Sequence, residues 1–170
     1  MVVAAIFLVF PLCLAFAAIS DLLTMTIPNR VSLILIIAFP VLALLSGLAP
    51  PAIGMHVLGA AIVFGICFAL FALNVMGGGD AKLLSAAAIW FGYDLALLSF
   101  LVYVGIIGGL VTLAILSIRA QANTILAIGL PIPNSLLLAK KIPYGIAIAI
   151  GGFMAFPSSP LFIAALEGLK

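Results

Sequence analysis

The amino-acid sequence predicts an all-α, polytopic membrane protein. Of its 170 residues, 68% are hydrophobic and 6% are charged, which leaves too few polar side chains to cover a soluble domain. Apolar runs recur along the whole chain, and several approach the about 20 residues that cross a hydrocarbon core as a helix. These runs do not alternate between polar and apolar residues, as membrane-embedded strands do. We therefore expect a bundle of helices whose main solvent is lipid.

Six transmembrane helices account for the apolar runs, because Gly, Pro, Asn and nearly all the charges collect between them. The first run could also be a signal peptide, but no basic residue precedes it, so we expect it to remain as a span. The second and third spans are the clearest, since each is a long uncharged run. The predicted spans cover residues 2–20, 31–48, 57–75, 77–93, 95–117 and 144–165.

The fourth span, 77–93, depends on an argument from length. Its uncharged part, 83–93, is too short to cross a bilayer alone, so a crossing helix must begin near Gly77 and include Asp80 and Lys82. If this segment crosses, five of the six basic residues fall on one side of the membrane, which is the positive-inside pattern and puts both termini outside. These residues are Arg30, Lys82, Arg119, Lys140 and Lys141.

Other residues mark the ends and bends of the spans. We expect His56 and Trp90 at the outer membrane interface, where aromatic rings are frequent. Pro40 and Pro157 lie inside spans and are expected to kink them. Segment 118–141 is apolar for a loop, and we expect part of it to lie along the cytoplasmic interface as a short helix broken at Pro131 and Pro133.

The chain contains four acidic residues, and the six-span arrangement puts Asp94 and Glu167 outside but Asp21 and Asp80 on the cytoplasmic side. Asp21 and Asp80 lie on the same side because the two clearest spans, the second and the third, separate them, and two crossings return the chain to the side from which it started. An acid at the membrane boundary is costly and usually faces the bundle interior or a water-filled cavity. The alternative for Asp21 is a helix-end residue that marks where the first span meets water.

Three glycines precede Asp80. Gly77, Gly78 and Gly79 let the backbone take positive φ and approach other groups closely. A carboxylate in the first turn of a helix is also favoured by the free N–H groups there. Asp80 could therefore be only a favourable aspartate at a helix start after a glycine loop. That alternative does not explain why the turn lies so near a second cytoplasmic aspartate.

Two carboxylates a few Å apart can share one proton, so that one activates a water while the other polarises a peptide carbonyl. This aspartic-protease chemistry needs no metal, and the single histidine without an acidic cluster predicts neither a metal nor another cofactor. Cys13 and Cys67 lie in apolar runs and are expected to be small buried hydrophobes. The net charge of +2 is too small to indicate nucleic acid as a partner.

The pattern resembles that of the prepilin peptidases, which are membrane aspartic peptidases of the G-x-G-D type. In that family one catalytic aspartate ends the first span and the other completes the motif, and Asp21 and Asp80 occupy these places. The further matches are Ile-Pro-Asn at 27–29, Ala-Lys-Leu-Leu at 81–84, Ile-Pro-Tyr-Gly at 142–145 and Ala-Ile-Ala-Ile-Gly at 147–151.

The resemblance implies that Asp21 and Asp80 are catalytic. Lys82 has two interpretations, an anchor at the lipid head groups or a cation that tunes the carboxylates. Tyr144 either contacts the site or lies at the interface. The expected supporting residues are Gly77, Gly78, Gly79, Pro28, Asn29, Lys82 and Tyr144.

The connection between the first two spans, 21–30, has no room for the cytoplasmic methyltransferase part of the longer, bifunctional members. The chain is therefore similar to the short, peptidase-only form associated with Flp-type pili of tight-adherence systems. Residues 1–170 would then form a single peptidase domain in the bacterial inner membrane. It would remove the short basic leader from a prepilin at the cytoplasmic face, with membrane lipids as its other partners.

Two other functions remain open. The aspartates could form the relay of a small proton-coupled transporter or channel, although that function predicts acids deeper in the bilayer. The chain could also be a non-catalytic assembly subunit. That function would not explain the presence of the two aspartates. One departure from the family pattern is that residues 22–26 lack the basic side chains that many relatives have there.

Overall fold

The computed structural model describes residues 2–121 and 142–168, and these residues form helices and turns without any strand. The predicted interfacial helix with breaks at Pro131 and Pro133 lies outside the described residues. Within them the elements follow in the order α1 Val2–Thr24, α2 Asn29–Leu45, α3 Pro50–Ala72, α4 Gly78–Ala88, α5 Leu95–Ala120, α6 Tyr144–Ala155, a 3₁₀ turn Phe156–Ser158 and α7 Pro160–Glu167.

Three helices in the described part of the chain, α1, α3 and α5, are long and apolar enough to cross a membrane. The pair formed by α6 and α7 adds a fourth candidate if it counts as one span, and it is bent by 44°. The predicted kink beside Pro157 is thus confirmed, whereas α2 continues as one helix through Pro40. After it, Ser159 Oγ accepts the N–H of Phe162 at 3.2 Å and begins α7 as a new helix. The structure supports three or four spans, and the arrangement with six is not confirmed.

The outer faces of the long helices are apolar. Leu12, Ile37 and Leu113 are each more than half exposed, and they represent a large set of leucine, isoleucine, valine and phenylalanine side chains on the surface. Such a surface is stable only against hydrocarbon. The chain is a multi-pass membrane protein.

Helix α4 is the most enclosed element of the bundle. It packs against α2, α3 and α6, and every residue from 83 to 92 is buried. Its 11 residues rise only about 17 Å, roughly half of a hydrocarbon core. The prediction of a crossing helix over 77–93 is therefore wrong in its extent: Trp90 and Phe91 donate to carbonyls three residues earlier, and Gly92 has a φ of +71°.

Trp90 belongs to the core and not to the outer interface, so that prediction is wrong. Its side chain is fully buried, and its indole N–H donates to the carbonyl of Leu35 at 3.2 Å. The ring packs with Phe10 and Phe156 at centroid distances of 5.1 and 6.4 Å. Since the one polar atom of the indole has a partner inside the protein, water is not needed to satisfy it.

His56 is also buried, with 2% of its surface exposed, so its predicted interfacial position is wrong. Its Nδ1–H donates to the carbonyl of Ile89 at 2.7 Å. The imidazole stacks on Phe39 at a centroid distance of 4.8 Å and lies against Gly92. This region, with Asp94 at the start of α5, is called the histidine end of the bundle below.

Candidate active site

Four helix termini meet at the other end of the bundle, where α1 ends and α2, α4 and α6 begin. Gly79 lies against Ile27 of the α1–α2 connection, and the side chain of Lys82 reaches Asn29. We call this region, residues 21–29, 77–82 and 144–145, the aspartate end. Asp21 and Asp80 both belong to it.

Asp21 lies in the last two turns of α1, and only 5% of its surface is exposed. Its Oδ2 accepts the backbone N–H of Gly145, in the first turn of α6, at 2.7 Å. The N–H groups at a helix start have no partner within the helix, so a carboxylate is a suitable acceptor for them. A Cβ placed on Gly145 would lie 2.9 Å from both Cβ and Oδ2 of Asp21. Glycine is therefore needed for α6 to begin on this carboxylate.

Asp80 occupies the first turn of α4 and is half-buried. Its carboxylate lies beside Gly77: a Cβ on that glycine would be 2.6 Å from Asp80 Oδ2. Gly77 precedes the helix in an extended conformation and provides no side-chain cap. The absence of a side chain at Gly77 thus makes room for the carboxylate.

The next two glycines allow α4 to approach its neighbours. A Cβ on Gly78 would lie 3.1 Å from the ring of Phe71 in α3, and one on Gly79 would lie 3.4 Å from Cβ of Ile27. The predicted close approach is confirmed at Gly77 and Gly78, whereas a Cβ on Gly79 would make an ordinary contact. The predicted positive φ is wrong, since the positive φ angles among the described residues fall elsewhere.

The α1–α2 connection is held by hydroxyl groups. Met25 has a φ of +53° and donates its N–H to the carbonyl of Asp21 at 2.8 Å. Ser20 Oγ donates to the carbonyl of Thr26 at 2.9 Å, and the hydroxyls of Thr24 and Thr26 are 2.6 Å apart. These bonds fix the short path from the buried aspartate to α2.

Two of the predicted supporting residues contact each other. Lys82 is exposed, and its Nζ donates to Oδ1 of Asn29 at 3.0 Å, which links α4 to the start of α2. Pro28 precedes α2 in an extended conformation, and its carbonyl accepts the N–H of Val31 at 3.0 Å. These residues position the helix starts around the aspartate end.

Tyr144 directs its phenol toward α5, where its ring and hydroxyl occupy the space beside Gly108. It is the backbone of its neighbour, Gly145, that reaches Asp21. Gly145 is the site residue that the sequence reasoning missed. The available signal was the Ile-Pro-Tyr-Gly run at 142–145, in which a glycine opens an apolar helix.

The family model described as the type IV leader peptidase family matches residues 8–113, which is more than half of the chain. The chain belongs to the type IV leader peptidase family. The resemblance to prepilin peptidases is thereby confirmed at the level of the family, and membership implies leader peptidase activity. The curated proteins and the solved structures give no match.

The residues matched by this leader peptidase family include both Asp21 and Asp80, whereas Gly145 lies beyond them. Within the described residues, no group of three or more His, Cys, Asp or Glu side chains is arranged to hold a metal ion. The aspartate end contains two carboxyl groups, one buried and one half-buried, together with the N–H groups at helix starts.

Proposed function

We propose that this leader peptidase is an aspartic endopeptidase in which Asp21 and Asp80 form the catalytic pair. The observation that carries the proposal is the buried carboxylate of Asp21, which lies at the same end of the bundle as the Gly-Gly-Gly-Asp turn of α4. Burial of a carboxylate in a membrane protein costs free energy, so a buried acid is a candidate for a functional role. Glycine at positions 77 and 145 supports the proposal, because both positions make room for these two carboxyl groups.

The proposed reaction is hydrolysis with a shared proton. One carboxylate removes a proton from water, and the resulting hydroxide oxygen attacks the carbonyl carbon of the scissile peptide. The protonated partner donates a hydrogen bond to the carbonyl oxygen and then supplies the proton for the leaving amine when the C–N bond breaks. The products are a leader that ends in a carboxylate and a mature protein that begins with an amine.

The proposed substrate is a Flp-type prepilin in a bacterial inner membrane. Its apolar helix would lie in the bilayer beside the enzyme, and its short basic leader would extend into the cytoplasm. In this proposal the chain, residues 1–170, is a single peptidase domain with six spans, both termini outside and the aspartate end at the cytoplasmic face. The cations Arg30 and Lys82 at that end support the orientation through the positive-inside rule.

A proton-coupled transporter is less well supported. Ion-coupling acids of transporters lie near the middle of the bilayer, commonly beside broken helices. Asp21 lies one turn from the end of α1 and Asp80 in the first turn of α4. Both acids therefore lie near helix ends.

Processing of a co-expressed Flp-type prepilin tests the proposal. We expect Asp21→Asn and Asp80→Asn each to lower the cleavage rate by about 10²- to 10⁴-fold, because asparagine keeps the shape of the side chain and loses its titratable proton. Leader removal is measured from the mass of the pilin. Normal cleavage by either variant would show that the substituted aspartate is not catalytic.

Asp94→Asn is the matched control. Asp94 is exposed at the histidine end, where its side chain accepts the N–H of Leu95 at 2.6 Å and caps α5. Asparagine caps a helix as well as aspartate does, so this variant should keep both its stability and its cleavage rate. Equal losses in all three variants would point to a general effect of the substitutions on the protein.

A further inference from the structure

The first turn of α6 presents the N–H of Gly145 to Asp21, so whatever holds that turn also holds the carboxylate. The distance from the N of Gly145 to Oδ2 of Asp21 is 2.7 Å, and an N–H···O bond is weak once this distance exceeds about 3.2 Å. A displacement of the turn by about 1 Å would therefore break the bond. Residues that fix the turn in place can control the position of Asp21 without contacting it.

Tyr144, the residue before Gly145, is fixed to α5. Its side chain is half-buried and packs against the core. A Cβ on Gly108 would overlap the phenol oxygen of Tyr144 and lie 2.5 Å from its Cζ, so the tip of the ring occupies the place of a side chain at position 108. Gly108 is buried, and we call the space beside it the Gly108 recess. The ring of Tyr144 fills this recess.

The rest of α6 is tightly packed between α1 and α5. A Cβ on Gly151 would lie 2.8 Å from the backbone of α5, and one on Gly152 would overlap a leucine of α1. Pro143, just before the helix, is fully buried, and its ring fixes φ where the chain enters α6. Close-packed interiors transmit a local displacement to their neighbours. A movement of Tyr144 is therefore passed on to Gly145 and is not absorbed by sliding of the whole helix.

We propose that Tyr144 is a positioning residue for the cleavage reaction. Its ring, held in the Gly108 recess, fixes the first turn of α6, and that turn holds the carboxylate of Asp21 through the N–H of Gly145. The ring acts by its size, and the hydroxyl takes no part in proton transfer. The effect on cleavage rests on the proposed function, in which Asp21 is catalytic, whereas the contacts between α5, α6 and α1 can be tested without it.

Nuclear magnetic resonance can observe the N–H of Gly145 alone, because residues 144–145 are the one Tyr-Gly pair in the sequence. Tyrosine labelled with ¹³C at the carbonyl and glycine labelled with ¹⁵N give a single carbonyl-edited amide signal from the protein in detergent. A short bond to a carboxylate is charge-assisted and strong, and it moves the amide proton signal downfield. We expect Asp21→Ala, which removes the acceptor, to move this signal upfield.

Gly108→Ala tests the recess. The new Cβ displaces the ring of Tyr144, so we expect the Gly145 signal to move upfield, as in Asp21→Ala. The cleavage rate of a co-expressed prepilin, compared per folded molecule, should fall by about ten- to hundredfold. Gly109→Ala is the matched control, since a Cβ there would meet no atom of the described residues within 4 Å. Its signal and its cleavage rate should equal those of the wild type.

Substitutions of Tyr144 separate the size of its ring from the chemistry of its hydroxyl. Tyr144→Phe keeps the ring, so it should retain most of the cleavage rate. Tyr144→Ala empties the recess and should lose about as much rate as Gly108→Ala, about ten- to hundredfold. The double variant with Gly108→Ala and Tyr144→Ala should lose no more than either single variant, because both substitutions remove the same contact.

Three results would overturn the proposal. The first is a Gly145 signal that stays in place in Gly108→Ala. The second is an equal loss of cleavage in Tyr144→Phe and Tyr144→Ala, which would give the hydroxyl a part in the chemistry. The third is full additivity of the two losses in the double variant. Failure of the proposed function gives another pattern: Asp21→Asn then cleaves normally, while the upfield movement in Gly108→Ala still supports the hold of Tyr144 on Asp21.

Discussion

The two ends of the bundle each bury an ionisable side chain, Asp21 at one end and His56 at the other. Both form a hydrogen bond of 2.7 Å with a backbone group. At the histidine end the ring is also enclosed by Phe39 and Gly92. At the aspartate end the neighbours are glycine backbones and a half-buried second acid, Asp80.

The different surroundings of His56 and Asp21 show that burial of an ionisable group is not by itself a sign of function. His56 is satisfied by its carbonyl and by ring packing, which is how a structural histidine is expected to look. Asp21 is reached from a helix start, beside a turn in which glycines make room for another carboxylate. We expect substitutions at the histidine end to change stability, and those at the aspartate end to change activity.

The largest effect in this comparison is expected for Gly145→Ala. The new Cβ would lie 2.9 Å from Asp21 Cβ, so the start of α6 must move. We expect processing to fall by about 100-fold, because a shift of about 1 Å at a reacting group has that effect. The free energy of unfolding should fall by about 1–3 kcal/mol from overpacking. Cleavage assays and thermal denaturation in detergent measure the two effects.

Gly109→Ala is the control for that variant. Gly109 also lies in a membrane helix, and a Cβ there would meet no atom of the described residues within 4 Å. Its cleavage rate and stability should match those of the wild type. If Gly145→Ala behaves in the same way, the contact between α6 and Asp21 has no part in activity.

Gly77→Ala should reduce activity with little effect on stability. Its Cβ would lie 2.6 Å from Asp80 Oδ2, and that oxygen can move by rotation of the carboxylate. We expect about a tenfold lower cleavage rate, since the carboxylate is displaced while the helix remains. Gly65→Ala, in open space on α3, is the control. A normal cleavage rate for Gly77→Ala would show that the orientation of the Asp80 carboxylate is unimportant.

His56→Ala should lower stability and leave activity unchanged, in contrast to Gly77→Ala. It leaves the carbonyl of Ile89 without its partner and opens space beside Phe39, so we expect the free energy of unfolding to fall by about 2–3 kcal/mol. The cleavage rate per folded molecule should stay unchanged. Loss of activity at full stability would mean that the histidine end contributes to the reaction.

The smallest effect is expected where Lys82 meets Asn29. This hydrogen bond lies on the surface, so a double-mutant cycle with Lys82→Ala and Asn29→Ala should give a coupling energy of about 0.5 kcal/mol or less. Unfolding in detergent supplies the four free energies. A coupling above about 2 kcal/mol would instead identify this bond as a main link between α2 and α4.

The sequence was sufficient to predict the helical class, the membrane location and the shared end of Asp21 and Asp80. These features follow from long apolar runs and from the number of spans between two charges, which are properties of residue order alone. A kink beside Pro157 was predictable because proline removes a backbone hydrogen bond of a helix, although α1 and α2 continue through Pro11 and Pro40.

Other features depend on which way a side chain faces, and the apolar runs do not contain that information. Trp90 and His56 were misplaced because the same ring suits a lipid interface or an aromatic core. The extent of α4 was overestimated because burial in protein, and not the thickness of the bilayer, determines its length. Gly145 was missed because its contribution is a backbone N–H, which every residue except proline has.

The bond between Gly145 and Asp21 joins positions 124 residues apart, and this separation has a consequence for biosynthesis. During translation, α1 enters the membrane long before the ribosome makes α6. Until then the carboxylate of Asp21 lacks the N–H that holds it in the finished fold. A nascent chain with only its first five helices would therefore carry both aspartates without their final arrangement, so we expect proteolytic competence to arise late in synthesis.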